Sequence, residues 1–138
     1  MVNTLYDKGR EAFLSGGINW GVGTAGDPIK ATLVDVPTYA FSNAHQFLSD
    51  IPAPARVATS PAFVNKTVLT GIADADNITF VAVTGVQSEA LVIFKDTGTA
   101  TTSPLIAYID TATGLPVTPN GGDITVTWDN GVNKIFKL

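Results

Sequence analysis

The chain has 138 residues, no cysteine, and a net charge of −4 from eight basic and twelve acidic side chains. Only 14% of residues are charged, against about 25% in an average domain, and the basic residues are scattered rather than clustered. That excludes disulfides and thiolate metal sites, and it weighs against nucleic acid as a partner, because phosphate neutralisation needs grouped Lys and Arg.

Length supports one domain with a core of its own. Mean hydropathy is high at +0.25. Even so, the apolar runs are far shorter than the roughly 20 residues that span a bilayer, so no membrane partner is expected. Met1 to Lys8 lacks a basic stretch followed by an apolar one, and no secretory signal is expected there.

In chain order, the first element predicted is a helix over about residues 3–15. Asn3 or Thr4 is its expected cap, and Leu5, Gly9, Ala12 and Phe13 share one face at three- and four-residue spacing. Ser15-Gly16-Gly17 ends it. Residues 16–28 carry five glycines, Asp27 and Pro28, and read as a flexible loop anchored by Trp20. Strand follows from Ile29 to Val36. Ser42 is placed to cap a short helical turn, Asn43 to Leu48, and Ile51-Pro52-Ala53-Pro54 favours extended chain.

Beyond that point the pattern is strand and turn. Strands are predicted near Arg56–Thr59, Phe63–Leu69, Asn77–Val83, Glu89–Lys95, Pro104–Asp110, Asp123–Asp129 and Val132–Leu138. Asn130-Gly131 between the last two predicts a type I′ hairpin, whose two central residues need positive φ. About eight short strands at this spacing predict a mainly β, antiparallel sandwich with a short N-terminal helix. One domain is expected over 1–138, with helix and Gly-rich loop in 1–28 and the sandwich in 29–138. Leu91-Val92-Ile93-Phe94 and Leu105 to Ile109 are apolar at every position, so both faces of these strands must be covered. The expected covers are the opposite sheet on one side and the N-terminal helix or another subunit on the other.

Candidate chemistry is sparse, and the chain reads as non-enzymatic, with no catalytic or metal-binding residues assigned and no cofactor. His45 is the single histidine, and no nucleophile motif accompanies it. Gly21-Val22-Gly23-Thr24-Ala25-Gly26 is formally a G-x-G-x-x-G, but a strand rather than a helix follows, so no helix N-terminus would hold a phosphate. Asp74, Asp76 and Asn77 are a sparse set of oxygens for Ca²⁺ and equally suit a turn. Trp20, Trp128, Tyr6, Tyr39 and Tyr108 would make a sugar-stacking platform if exposed, but in a sandwich such residues are more often core. The candidate protein-interface residues are Leu5, Tyr6, Phe13 and Trp20.

Asn3 to Leu14, Ile29-Lys30 with Leu33-Val34-Asp35, Phe47 to Pro52, Arg56-Val57-Ala58, Leu105 to Asp110 and Trp128 to Gly131 together resemble a family of small tailed-phage virion structural proteins. The resemblance covers nearly the whole chain. It implies a capsid cement or decoration protein with a jelly-roll-like sandwich, lying on the capsid surface of the virion after synthesis in the bacterial host cytoplasm. The partners it implies are the major capsid protein and further copies of the chain, as a dimer or trimer. The alternatives are a receptor- or carbohydrate-binding module of a phage tail, or a tail or neck assembly component.

Overall fold

The computed structural model describes residues 3–138. It is mainly β, with three antiparallel sheets forming a sandwich and one short helix. The strands are β1 (Thr4–Leu5), β2 (Ile29–Val34), β3 (Arg56–Thr59), β4 (Thr67–Leu69), β5 (Ile72–Asp74), β6 (Ile78–Phe80), β7 (Ala90–Lys95), β8 (Leu105–Ile109), β9 (Ile124–Val126) and β10 (Phe136–Lys137), with the helix α1 (Asp7–Ser15) after β1. The sheets run β1-β8-β7-β2-β3, β10-β5-β4 and β6-β9.

The all-apolar strands β7 and β8 sit in the middle of the five-stranded sheet, and every residue from Ala90 to Phe94 and from Leu105 to Ile109 is buried. Side chains two apart share a face. Leu91 and Ile93 join Ala31, Leu33, Ala107 and Ile109 against the two smaller sheets. Ala90, Val92 and Phe94 join Val34, Leu105 and Tyr108 on the opposite side. A register shift between Ile93 and Phe94 leaves Ile106 as the extra residue of a bulge, which is why Ile106 and Ala107 both reach the first side.

The second side is covered by the chain itself. Tyr39, Leu48, Ile51 and Ala55 lie on it from the long connection between β2 and β3, with Val36 and Phe41 packed at its margin. The cover is therefore neither the helix alone nor a second subunit. No copy of the chain is needed to shield β7 and β8.

Several expectations need correction. The N-terminal segment is not all helix: Thr4 and Leu5 pair with Tyr108 and Ala107, so residues 1–28 supply an edge strand of the main sheet. Asn3 is not a helix cap. Its Oδ1 accepts from the Asp110 and Thr111 N–H groups at 2.9 Å each, and its Nδ2 donates to the Thr111 carbonyl. Ser15-Gly16-Gly17 does end the helix, with Gly16 at φ +83°. Residues 43–47 form no helix. The Asp50 carboxylate accepts from the Gln46 and Phe47 N–H groups, and a 3₁₀ turn forms at Leu48–Asp50 instead. Ile51 and Pro52 are extended as expected, and a second 3₁₀ turn then forms at Ala53–Ala55.

The predicted C-terminal hairpin is absent. Strand β9 pairs with β6, and β10 pairs with β5. Neither Asn130 nor Gly131 has positive φ; the Asp129 carboxylate accepts from Gly131 N–H and bends the chain away. The two-residue hairpin lies between β4 and β5, where Thr70 (φ +50°) and Gly71 (φ +80°) both take the left-handed conformation.

Candidate interaction surface

Leu5, Tyr6 and Trp20 are buried within the chain's own core, and Phe13 is half-buried there. They fall on different parts of it. Trp20 meets Phe63 and Phe136 edge-on, at ring separations of 6.0 and 5.3 Å, and Phe13 packs on Phe136 at 6.0 Å. Tyr6 belongs to the other side, its ring tilted against that of Phe41 at 5.3 Å. The four do not form one exposed patch. The aromatic platform has no surface either, because Trp20, Trp128, Tyr6, Tyr39 and Tyr108 are all buried, as the core reading of these rings expects.

Half-buried His45 ends a hydrogen-bonded chain that begins in the core. The Tyr6 and Tyr39 hydroxyls lie 3.0 Å apart, and the Tyr39 hydroxyl is 2.8 Å from His45 Nδ1. Burial raises the Tyr6 pKa far above its ordinary value and pushes Tyr39 up to about 12. Backbone N–H groups of Phe47 and Gln46 hold the Asp50 carboxyl below the usual range, with His45 adding to the effect. This set closes the 35–55 connection over the main sheet.

The Gly-rich stretch is a loop with many internal and tertiary hydrogen bonds. Gly21, Gly23 and Gly26 all have positive φ, and a Cβ on Gly21 would lie 2.2 Å from the Ala25 carbonyl oxygen. Asp27 anchors the loop: its carboxylate accepts from Asn19 N–H and pairs with Lys95 at 3.2 Å. Gly23 bridges to Lys66, whose ammonium donates to the Asp27 carbonyl. Burial pushes the Lys66 pKa down, with Asp27 opposing. The segment leads into β2 and not into a helix.

Asp74 lies in β5, the Asp76 carboxylate accepts from Asn65, and Asn77 Oδ1 accepts from Trp128 N–H. Among the described residues no group of three or more His, Cys, Asp or Glu side chains is placed to hold a metal ion.

The feature that stands out is β4. All three of its residues are exposed, although Val68 pairs with the buried Ala73. It is the outer strand of its sheet, and its edge is bonded to Gly23 at the preceding Lys66. Val68 and Leu69 are 51% and 72% exposed, and Val22, Val64 and Leu138 are exposed as well. Leu138 N–H donates to the Gly71 carbonyl, which sets the C-terminus beside the hairpin. Residues 67–71 carry no charge. Sheet edges are usually blunted by a lysine, a proline, a bulge or shortness, and of these β4 has only its three-residue length. Sequence patterning merged this strand into Phe63–Leu69.

No protein-family model matches this chain, and no curated protein matches it.

Proposed function

We propose that this chain is a non-catalytic virion subunit, a phage capsid cement protein that binds the outer surface of the major capsid protein and stabilises the head. The observation that carries it is the exposed, uncharged edge strand β4 with Val68 and Leu69 on a domain whose main sheet is covered on both faces by its own chain. A subunit that clamps its neighbours needs a rigid body and an apolar surface for contact, and it needs no chemistry. The phage-protein resemblance across Asn3–Leu14 and Leu105–Asp110 points the same way. Association with further copies of the chain belongs to the same proposal, with capsid symmetry setting the copy number.

The test is reconstitution. Purified wild-type protein, Val68→Asp and Leu69→Asp are each added to undecorated shells, and bound copies are counted after sedimentation. Both positions are exposed, so both variants should fold with near wild-type Tm. Occupancy should fall about tenfold or more, as for a central interface residue. Wild-type protein that fails to bind shells, or variants that bind as well as wild type, would overturn the proposal.

A further inference from the structure

The sandwich is open along one seam. Strand β1 is the outer strand of the five-stranded sheet and β10 the outer strand of the three-stranded sheet. Both line a groove of about 310 Å³, together with Arg10 from α1 and residues 133–135. Buried apolar side chains, among them Leu5, Ile109 and Phe136, form its floor.

The basic residues of the chain divide sharply at this groove. Five of the eight are committed elsewhere: Lys8 to Glu11, Lys30 to Asp96, Lys95 to Asp27, Lys66 to the Asp27 carbonyl and Arg56 to the Ile51 carbonyl. The other three, Arg10, Lys134 and Lys137, all line the seam, and their side chains make no ion pair or hydrogen bond with any described residue. Asp129 also lines it, with Oδ1 held by Gly131 N–H. The groove is thus locally cationic on a chain whose net charge is −4. Lys134 stands in the left-handed region at φ +48°, a conformation that costs a non-glycine residue free energy and that recurs where a side chain serves a site.

We infer that this seam receives an extended acidic segment of the partner chain, docked beside the free edges of β1 and β10. A strand suits it because the flanking elements are sheet edges with unpaired backbone groups. Successive side chains of a strand alternate between faces, so apolar residues would meet the floor while acidic ones meet Arg10, Lys134 and Lys137. Three cations are too few to hold a nucleic acid against the repulsion of an acidic chain. The inference rests on the capsid-binding proposal for the origin of the segment, which would belong to the capsid subunit.

The probe is a synthetic peptide of about eight residues, a typical strand length, alternating glutamate with valine, beside a control alternating glutamine with valine. Binding is followed by amide shifts in the full chain. The acidic peptide should bind, shift Thr4, Leu5, Phe136 and Lys137, and bind about tenfold or more tightly than the control, the scale of three partly exposed ion pairs. The variant Arg10→Gln/Lys134→Gln/Lys137→Gln should keep the wild-type Tm and lose that preference. Equal binding of both peptides, shifts confined to β4, tighter binding of a single-stranded oligonucleotide, or no binding at millimolar peptide would overturn the inference. Shell binding is measured in parallel. Shells bound without peptide binding would sink the seam alone, and peptide bound at the seam without shell binding would sink the capsid proposal alone.

Discussion

At residue scale, Gly9 shows how one position can reverse a propensity rule. In an open helix, replacing glycine by alanine gains about 1 kcal/mol. Here α1 lies on β8 so closely that a Cβ on Gly9 would sit 2.7 Å from the Leu105 carbonyl oxygen and 3.0 Å from that of Ile106. Overpacking of this kind costs about 1–3 kcal/mol. Gly9→Ala should therefore bring no gain and lower stability in urea denaturation by up to about 2 kcal/mol, the net of those two effects. A gain in stability would mean that α1 is not seated on β8. The tyrosine pair gives a second expectation. Tyr39→Phe strips a partner from both the Tyr6 hydroxyl and His45 Nδ1, at about 1–3 kcal/mol for buried groups left unpaired. Both tyrosines hold their protons more tightly folded than unfolded. Their contribution is complete below about pH 10, the unfolded value, and declines as pH rises from there towards about 12, because the native state then binds more protons than the unfolded chain. Urea midpoints measured across that window should fall for wild type and fall less for Tyr6→Phe/Tyr39→Phe; parallel curves would contradict the buried pair.

At the scale of elements, the two candidate hairpins make opposite forecasts. Thr70 is β-branched and held at φ +50°, so Thr70→Asn should stabilise by about 0.5–1 kcal/mol, since asparagine accepts that conformation more readily. Gly131 has no positive φ and an added Cβ meets only the Asp129 side chain, so Gly131→Ala should stay within about 0.5 kcal/mol of wild type. A type I′ turn at Asn130-Gly131 would reverse that ranking in thermal melts. The sequence misled here because an Asn-Gly pair is a strong local signal, whereas Thr-Gly is a poor one, and strand pairing is decided by what each strand can bury. Phe136 packs on Trp20 and Phe13, and that aromatic row draws β10 to β5 and away from β9. Where burial alone sets the pattern the elements were legible: β3 has the predicted limits, β7 and β8 lie within theirs, and uninterrupted apolar runs foretold that both faces are covered. What covers the second face was not legible, because residues 35–55 are held by single contacts such as Tyr6–Tyr39 and Glu89 with Val36 N–H, which have no period. Nor was the seam, since Arg10 lies more than a hundred residues from Lys134 and Lys137 and meets them only when β1 and β10 are placed.

At the scale of the whole molecule, the N-terminal segment binds the two halves of the core together. Leu5 enters the cluster under the smaller sheets, Tyr6 enters the cluster under residues 35–55, and Phe13 rests on Phe136. Deleting residues 1–15 should therefore unfold the domain outright, seen as loss of the cooperative thermal transition. A truncated chain that stays folded and only loses association would mean that the segment is a swinging clamp. With that segment in place, the body presents two features to a partner: the uncharged edge β4 and the cationic seam between β1 and β10. Both suit the proposed role of a subunit that adds to a lattice of other chains. The most direct test of that role is imaging of the assembled phage particle. Density for this sandwich is expected on the outer surface of the head, with β4 turned towards the capsid lattice. Density confined to the tail or neck, or a fully decorated head with no place for this chain, would contradict it.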